Sequence, residues 1–293
     1  MIRKRSLLLA LLFVFSGLSF LHAEDFFFNS GGVKIHYIVE GKGEPVFLVH
    51  GFAGSVQSWM RLGVVKALSE NYLVIALDIR GHGQSDKPHN VADYGLKMND
   101  DVIRLMDYLK IKKAHIVGYS MGGFMTDRLL MDHPDRFVTA TLGGAGWMKH
   151  GQPVVGHDPG VAEVAAKSLE EGKGLGPLLS LLLTPKGQPS PTDEALESYN
   201  KTLMASNDAL ALAAVQRSLD KFEVSEDKLR KNRVPVLSLI GEIDPIKDSA
   251  DQLQAVLANL KVVVIPSANH GTAPTDPLFV KSLKEFLATH PAH

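Results

Sequence analysis

The pentapeptide GYSMG at residues 118–122 places Ser120 between two glycines. It follows an apolar run that predicts a strand and precedes a pattern that predicts a helix over 121–133. A G-x-S-x-G sequence at such a junction is typical of a sharp turn that strains the serine backbone and exposes its hydroxyl. We expect the glycines to prevent a collision of side chains with the serine. The context favours a nucleophile over a simple glycine turn.

A serine hydroxyl becomes a useful nucleophile when a base takes its proton and a third group orients that base. Asp244 follows the apolar run at 234–241, and His270 follows the next one at 260–268. The order serine, acid, histidine matches the order required when the serine lies on such a turn. We therefore predict that Ser120 is a nucleophile, His270 its base and Asp244 the orienting acid.

Other acids and histidines fit these roles less well. The strand end at 142–147 carries no acid, and Asp248 and Asp251 lie beyond Asp244 on a predicted helix. Of the twelve histidines, only His270 follows a late strand and lies downstream of a suitable acid. The remaining histidines fall in terminal segments, loops, a helix end or strands, and those in strands, His36 and His115, are expected to be structural.

The sequence His50-Gly51-Phe52 follows an earlier apolar run. A negatively charged oxygen that develops during attack by Ser120 needs two preorganised donors. The N–H groups of Met121 and Phe52 are the candidates, because one follows the serine and the other lies in a glycine-rich loop. His50 is expected to hold that loop by hydrogen bonding.

The segment DIRGHGQSDKP at 78–88 contains His82. Neither a histidine nor a carboxylate stands at a metal-binding spacing from it, so a glycine-stabilised turn is favoured over a metal site. We predict no metal and no cofactor.

These groups must be positioned by alternating strands and helices. Continuous apolar strands between helices indicate a mostly parallel, doubly wound α/β sheet, buried on both faces, with reactive groups at the carboxyl ends of the strands. The first two strands are expected to face each other across a Gly-Lys-Gly turn. Strands are predicted at 33–41, 44–51, 72–81, 114–120, 137–144, 234–241 and 260–268, and helices around 56–69, 95–110, 121–133, 248–259 and 276–289.

One segment, 146–227, shows helical patterns but no strand pattern. An insertion of this length is expected to form a small helical lid, between core parts at 24–145 and 228–293. Trp147 lies at its entrance and LGPLLSLLL lies at 175–183. We expect Trp147 to contribute to an apolar substrate pocket. The leucine run serves equally well to pack the lid onto the core.

Residues 1–23 combine a basic start with an apolar run from Leu7 to Leu21 and end on Leu-His-Ala. This pattern predicts a cleaved secretory signal, and the run of 15 residues is short for a membrane anchor, the alternative. Cleavage removes three of 31 basic residues, leaving 28 against 32 acidic ones and a formal charge of −4. This balance does not favour nucleic acid or acidic lipid as a partner. The chain has no cysteine, which excludes disulfides and thiol catalysis.

Five motifs in order, HGFAGS, DIRGHGQSDKP, GYSMGG, GEIDP and ANHG, resemble the α/β-hydrolase superfamily from about residue 26 to the carboxyl terminus, apart from the lid. The resemblance implies the triad Ser120, Asp244 and His270, with oxyanion donors at Phe52 and Met121. It disfavours members with an aspartate nucleophile, such as haloalkane dehalogenases and epoxide hydrolases.

The relatives usually carry glycine where Asn269 stands before the final histidine, which leaves the geometry of that loop open. The implied function is a secreted or periplasmic serine esterase acting on small carboxylic esters. Carbon-carbon bond hydrolases, perhydrolases and ligand-sensing proteins on the same scaffold are the alternatives.

Overall fold

The computed structural model describes residues 24–152, 159–184 and 189–292, so the predicted signal at 1–23 lies outside the described residues. Within these ranges, the chain forms one sheet of eight strands: β1 (Glu24–Ser30), β2 (Val33–Gly41), β3 (Glu44–Val49), β4 (Tyr72–Leu77), β5 (Ala114–Tyr119), β6 (Phe137–Gly143), β7 (Val236–Gly241) and β8 (Leu260–Ile265).

Eleven α-helices accompany the strands in the described ranges. They are α1 (Val56–Arg61), α2 (Val64–Ser69), α3 (Leu96–Tyr108), α4 (Met121–Asp132), α5 (Pro159–Glu170), α6 (Gly176–Leu183), α7 (Asp193–Met204), α8 (Ala209–Gln216), α9 (Glu226–Lys231), α10 (Lys247–Val256) and α11 (Pro277–Ala288). The single helix predicted around 56–69 is two short helices, α1 and α2, separated by Gly63 in the left-handed region.

The strand order is β1-β2-β4-β3-β5-β6-β7-β8. The pairs β1–β2 and β2–β4 are antiparallel, and every later pair is parallel. The mostly parallel α/β prediction is therefore confirmed. The parallel pairs bring the carboxyl ends of β3 to β8 to one edge of the sheet, where loops meet.

The predicted pairing of β2 with β3 is wrong, because β4 lies between them. The connecting glycines pass close to the start of β4: a Cβ on Gly41 would collide with the carbonyls of Ser69 and Tyr72, and one on Gly43 would lie 2.6 Å from the carbonyl of Asn71. The connection crosses the start of β4 and places β3 on its far side.

Apolar side chains cover both faces of the sheet. On one face Phe47, Ile75 and Ile116 pack with residues of α3, α4 and α10, and on the other Leu48 and Leu237 pack with α1, α2 and α11. Alternate residues of one strand thus enter different cores, which explains the continuous apolar runs.

The two edge strands depart from expectation. Strand β1 was not predicted; its sequence EDFFFNS pairs along its length with β2. The run in β8 was expected to be buried on both faces, but β8 is the opposite edge and Val264 is 39% exposed. An edge position leaves one side of a strand without a neighbour, whatever its hydropathy.

Helices α5 to α9 lie between β6 and β7 in the chain. Leucines and alanines of α5, α6 and α8 form a third apolar cluster that also includes Ala53 and the half-buried Phe52. This helical cluster therefore packs on the loop that follows β3. No helix in the described ranges is long and apolar enough to cross a bilayer.

Candidate active site

Ser120 lies between β5 and α4 with φ 53° and ψ −120°, a conformation that non-glycine residues rarely adopt. Such a residue costs about 1–3 kcal/mol and persists when its surroundings fix it. The Ser120 amide donates to the carbonyl of Gly143 (2.8 Å), and its carbonyl accepts from Gly123 (2.8 Å) and Phe124 (3.1 Å). The turn is held on both sides of the serine.

The flanking glycines are needed, but for a different contact from the one expected. A Cβ on Gly118 would collide with the carbonyl of Gly122, and a Cβ on Gly122 would collide with the carbonyl of Val49 at the end of β3. The close approach is therefore between backbone segments, not between side chains and Ser120.

Asp244, His270 and Ser120 form one hydrogen-bonded chain. His270 Nε2 lies 2.9 Å from Ser120 Oγ, and its Nδ1 lies 2.9 Å from Asp244 Oδ2. Ser120 follows β5, Asp244 follows β7 and His270 follows β8, and their exposed fractions are 9%, 3% and 8%, respectively. Because a carboxylate only accepts, Nδ1 carries the proton and Nε2 is free to accept from the serine hydroxyl. The structure thus brings together the three residues predicted from the sequence.

Other acids near β7 lie elsewhere. Asp251 is on the exposed part of α10, where its carboxylate lies 2.7 Å from Lys247 Nζ. Asp248 is also exposed. Asp244 is instead buried, and its second oxygen accepts from the Ile246 amide at 2.9 Å. That bond fixes the carboxylate toward His270.

Asn269, the residue that departs from the usual glycine, organises the loop of His270. Its Oδ1 accepts from the amides of Gly271 (2.9 Å) and Thr272 (2.9 Å). Its own amide donates to Thr272 Oγ1 at 2.9 Å. On the other side, the hydroxyl of Tyr119 donates to the His270 carbonyl at 2.5 Å. Side-chain bonds thus give the loop a defined geometry without glycine.

The loop after β3 lies directly against the serine. A Cβ on Gly51 would be 3.2 Å from both Ser120 Cβ and the Tyr119 carbonyl, so only glycine fits without displacement. In the described part of the chain, neither the Phe52 amide nor the Met121 amide has a recorded acceptor. Both N–H groups remain available beside the Ser120 turn, as an oxyanion site requires.

His50 holds this loop, as predicted. Its Nδ1 donates to the Gly51 carbonyl (2.8 Å), and its Nε2 accepts from the Ile79 amide (3.1 Å). These partners fix one neutral tautomer, and burial lowers the pKa of His50. His50 therefore joins β3 to the end of β4 through both nitrogens of its ring.

His82 lies beneath the same loop. Its ring centroid is 5.1 Å from that of His50 and 6.0 Å from that of Phe52. Burial, and to a lesser extent the nearby His50, lowers the pKa of His82 to about 3. Among the described residues, no three histidine or acidic side chains are grouped to hold a metal. His82 is a neutral packing residue within a turn closed by Gly81 and Gly83, both at positive φ.

Trp147 is 4% exposed and anchors the segment after β6. Its indole donates to the Val224 carbonyl (2.8 Å), and its carbonyl accepts from Ser249 Oγ (2.9 Å). These contacts are structural, and contact with a substrate stays a prediction. Leu183 of α6 approaches the loop of His270, because its Cδ2 would lie 3.1 Å from a Cβ on Gly271.

Sequence reasoning assigned no role to Asp78, although its position carries a signal. It is 2% exposed directly after β4, and it binds the amides of Val56 (2.7 Å) and Gln84 (2.8 Å). An acid at the end of a buried strand is the same pattern that selected Asp244. Burial raises the pKa of Asp78, but hydrogen bonds from His36 and these amides outweigh it and lower the pKa.

Comparisons with known proteins agree with this architecture. The chain is 38% identical over 117 residues to the dihydrolipoyllysine-residue acetyltransferase component of the acetoin cleaving system of Cupriavidus necator, covering 40% of this chain and 30% of that protein. It is 36% identical over 116 residues to a fluoroacetate dehalogenase from a Burkholderia species, covering 38% of each. The matches span about a third of the length of these two proteins.

A structure of an enol-lactonase from Burkholderia xenovorans superposes with a TM-score of 0.72 at 22% identity, covering 89% of this chain and 99% of that one. A family model described as alpha/beta hydrolase fold matches residues 44–277. With a sheet of matching topology, a serine turn after β5 and a family match over most of its length, the chain belongs to the alpha/beta hydrolase fold family.

Proposed function

We propose that the protein is a serine hydrolase that cleaves small carboxylic esters through an acyl-enzyme intermediate. The observation that carries the proposal is the continuous chain from Asp244 through His270 to Ser120, with both links at 2.9 Å. In this arrangement each group has the partner that its role requires.

In the acylation step, Ser120 Oγ attacks the ester carbonyl while its proton passes to His270 Nε2. The imidazolium that forms is stabilised by the Asp244 carboxylate at Nδ1. The carbonyl oxygen becomes negatively charged and accepts from the N–H groups of Phe52 and Met121. Collapse of this intermediate breaks the bond to the alcohol oxygen, which takes the proton from His270.

Deacylation repeats the sequence with water as the nucleophile. His270 removes a proton from water, hydroxide oxygen adds to the acyl carbon, and the serine oxygen leaves with that proton. The carboxylic acid is released and Ser120 regains its hydroxyl. No step requires a cofactor.

Apolar side chains near the triad favour uncharged acyl groups. Phe52 packs with both the sheet core and the helical cluster, and Leu183 approaches the loop of His270. An apolar site of this kind takes alkyl or aryl esters through burial of their carbon chains.

Labelling with a fluorophosphonate and measurement of ester turnover test the proposal together. We expect labelling at Ser120, and Ser120→Ala should abolish both labelling and turnover. Ser225→Ala is the matched control, because Ser225 is exposed and its side chain caps no amide of α9. Turnover that survives Ser120→Ala would refute the proposal.

The substrate class is tested with aryl esters of increasing acyl length, a lactone, an amide and a vinylogous diketone. Faster turnover of short or medium esters supports an esterase, and preference for the diketone would assign carbon-carbon bond hydrolysis instead. A single acylation without release would indicate a ligand-sensing protein.

A further inference from the structure

Two consecutive residues at the end of β4 hold the loop that carries the Phe52 amide. The Ile79 amide donates to His50 Nε2 (3.1 Å) at the start of the loop. Asp78 Oδ1 accepts from the Val56 amide (2.7 Å) at its end, the first residue of α1. The position of Phe52 between these two attachments therefore depends on where Asp78 is fixed.

His36 of β2 fixes Asp78 through three contacts. The Asp78 amide donates to the His36 carbonyl (2.9 Å), and His36 Nδ1 lies 2.8 Å from Asp78 Oδ2. The third contact passes through Ser85, whose Oγ donates to the Asp78 carbonyl (2.6 Å) and accepts from the His36 amide (2.9 Å). His36 is 1% exposed, so no bulk water competes for the carboxylate.

The other side of the imidazole meets a second carboxylate. His36 Nε2 lies 2.8 Å from Oδ1 of Asp25 in β1, and the side-chain nitrogen Nε2 of Gln84 lies 3.4 Å away. Burial lowers the pKa of His36, but Asp78 and Asp25 together raise it above its ordinary value. The side chain of Asp25 is 61% exposed, whereas that of Asp78 is 2% exposed, so the contact with Asp78 is the better protected.

We propose that His36 is a positioning residue for the oxyanion loop, acting through Asp78 on the attachment of Val56; this inference rests on the proposed ester hydrolysis. Without the imidazole, Asp78 Oδ2 loses one donor and keeps the Gln84 backbone amide, so the carboxylate is held less firmly and the start of α1 shifts with it. Displacement of the Phe52 N–H weakens its bond to the oxyanion, which exists only after attack. The loss therefore falls on kcat and leaves KM nearly unchanged.

The first test compares His36→Leu with His36→Asn in the full chain, using an aryl ester. Removing a whole oxyanion donor costs about 10²–10³ in kcat, so a displaced donor should cost roughly 10-fold to 100-fold. Asparagine presents an N–H at about the position of Nδ1 and should restore most of the activity. Reaction with a fluorophosphonate, whose phosphoryl oxygen uses the same donors, should fall in parallel with kcat.

His115→Leu is the matched control. His115 is a fully buried histidine on β5, but its hydrogen bonds go to Thr139 (2.7 Å) and Glu44 (3.2 Å). These residues lie near the amino ends of their strands, at the opposite edge of the sheet from Ser120. The variant His115→Leu should lower the midpoint of thermal unfolding without changing the kcat of the folded protein.

A second variant keeps the test decisive if His36→Leu does not fold. Val56→Pro removes the N–H that donates a hydrogen bond to Asp78. Val56 is the first residue of α1, a position where proline is tolerated. The preceding Ser55 is extended at φ −162° and ψ 179°, which proline permits. We expect a similar loss of kcat, and in the folded double variant the two losses should not multiply, because both act through Asp78.

An unchanged kcat in His36→Leu or in Val56→Pro would overturn the inference, as would multiplicative losses. No labelling and no turnover in the unaltered protein would instead refute the proposed function, and the inference with it.

Discussion

Both carboxylate oxygens of Asp244 accept hydrogen bonds, so an asparagine at this position cannot satisfy its surroundings in either orientation. Oδ2 faces His270 Nδ1 at 2.9 Å, and Oδ1 faces the Ile246 amide at 2.9 Å. If the amide NH₂ faces His270, Nδ1 must accept and the ring proton moves to Nε2. The imidazole then cannot take the proton of Ser120.

If the amide NH₂ instead faces Ile246, two donors meet in a buried site. A buried donor left unsatisfied costs about 1–3 kcal/mol, so the productive tautomer is populated roughly 10-fold to 100-fold less. The neutral amide also fails to stabilise the imidazolium, and a charged partner is worth about 1.5–3 kcal/mol. Together these effects amount to about 2.5–6 kcal/mol, so we predict that Asp244→Asn lowers kcat by a factor on the order of 10²–10⁴.

The assay is steady-state turnover of an aryl ester, with circular dichroism to establish that the variant is folded. Asp251→Asn is the control, because Asp251 is an exposed acid paired with Lys247. Adding Asp244→Asn to His270→Ala should cost little more than His270→Ala alone, since Asp244 acts through the imidazole. The reasoning would be refuted if Asp244→Asn kept more than about a tenth of the kcat of the unaltered protein. It would also be refuted if the losses of the two single variants multiplied fully in the double variant.

Two further predictions concern stability and the loop of the base. Asp127 of α4 is 1% exposed, its carboxylate has no recorded partner in the described ranges, and burial raises its pKa from 3.8 to about 7. Since the unfolded chain binds fewer protons between these values, the contribution of Asp127 to stability falls as pH rises from 4 to 7, by up to about 4 kcal/mol. Asp127→Asn should therefore raise the free energy of unfolding by up to about 4 kcal/mol at pH 8 but not at pH 4, measured by urea denaturation. An equal effect at both pH values would contradict this prediction. Asn269→Ala removes the acceptor for two loop amides and should lower kcat about 10-fold, whereas Asn269→Asp keeps that acceptor and should stay near the original rate; equal rates for the two variants would show that these bonds do not position His270.

The sequence by itself determined the elements and the candidate chemistry. Apolar runs separated by helical patterns predicted seven strands of the sheet, because a strand that is buried on both faces has a continuous apolar sequence. The glycines around Ser120 marked the turn after β5. Asp244 and His270 could be selected because the carboxyl ends of parallel strands converge, so position along the chain fixes their position on the sheet edge.

Only the tertiary structure decided which elements are neighbours. Hydropathy records that a residue is buried but not what buries it, so the pairing of β2 with β4 and the exposed edge of β8 were not foreseen. The same limit applies to His36, which the sequence identified as structural without its partner. Its contact with Asp78 spans 42 residues and exists because β4 lies beside β2 in the sheet. Contacts between distant segments arise from strand pairing, and that pairing depends on the free energy of the whole sheet.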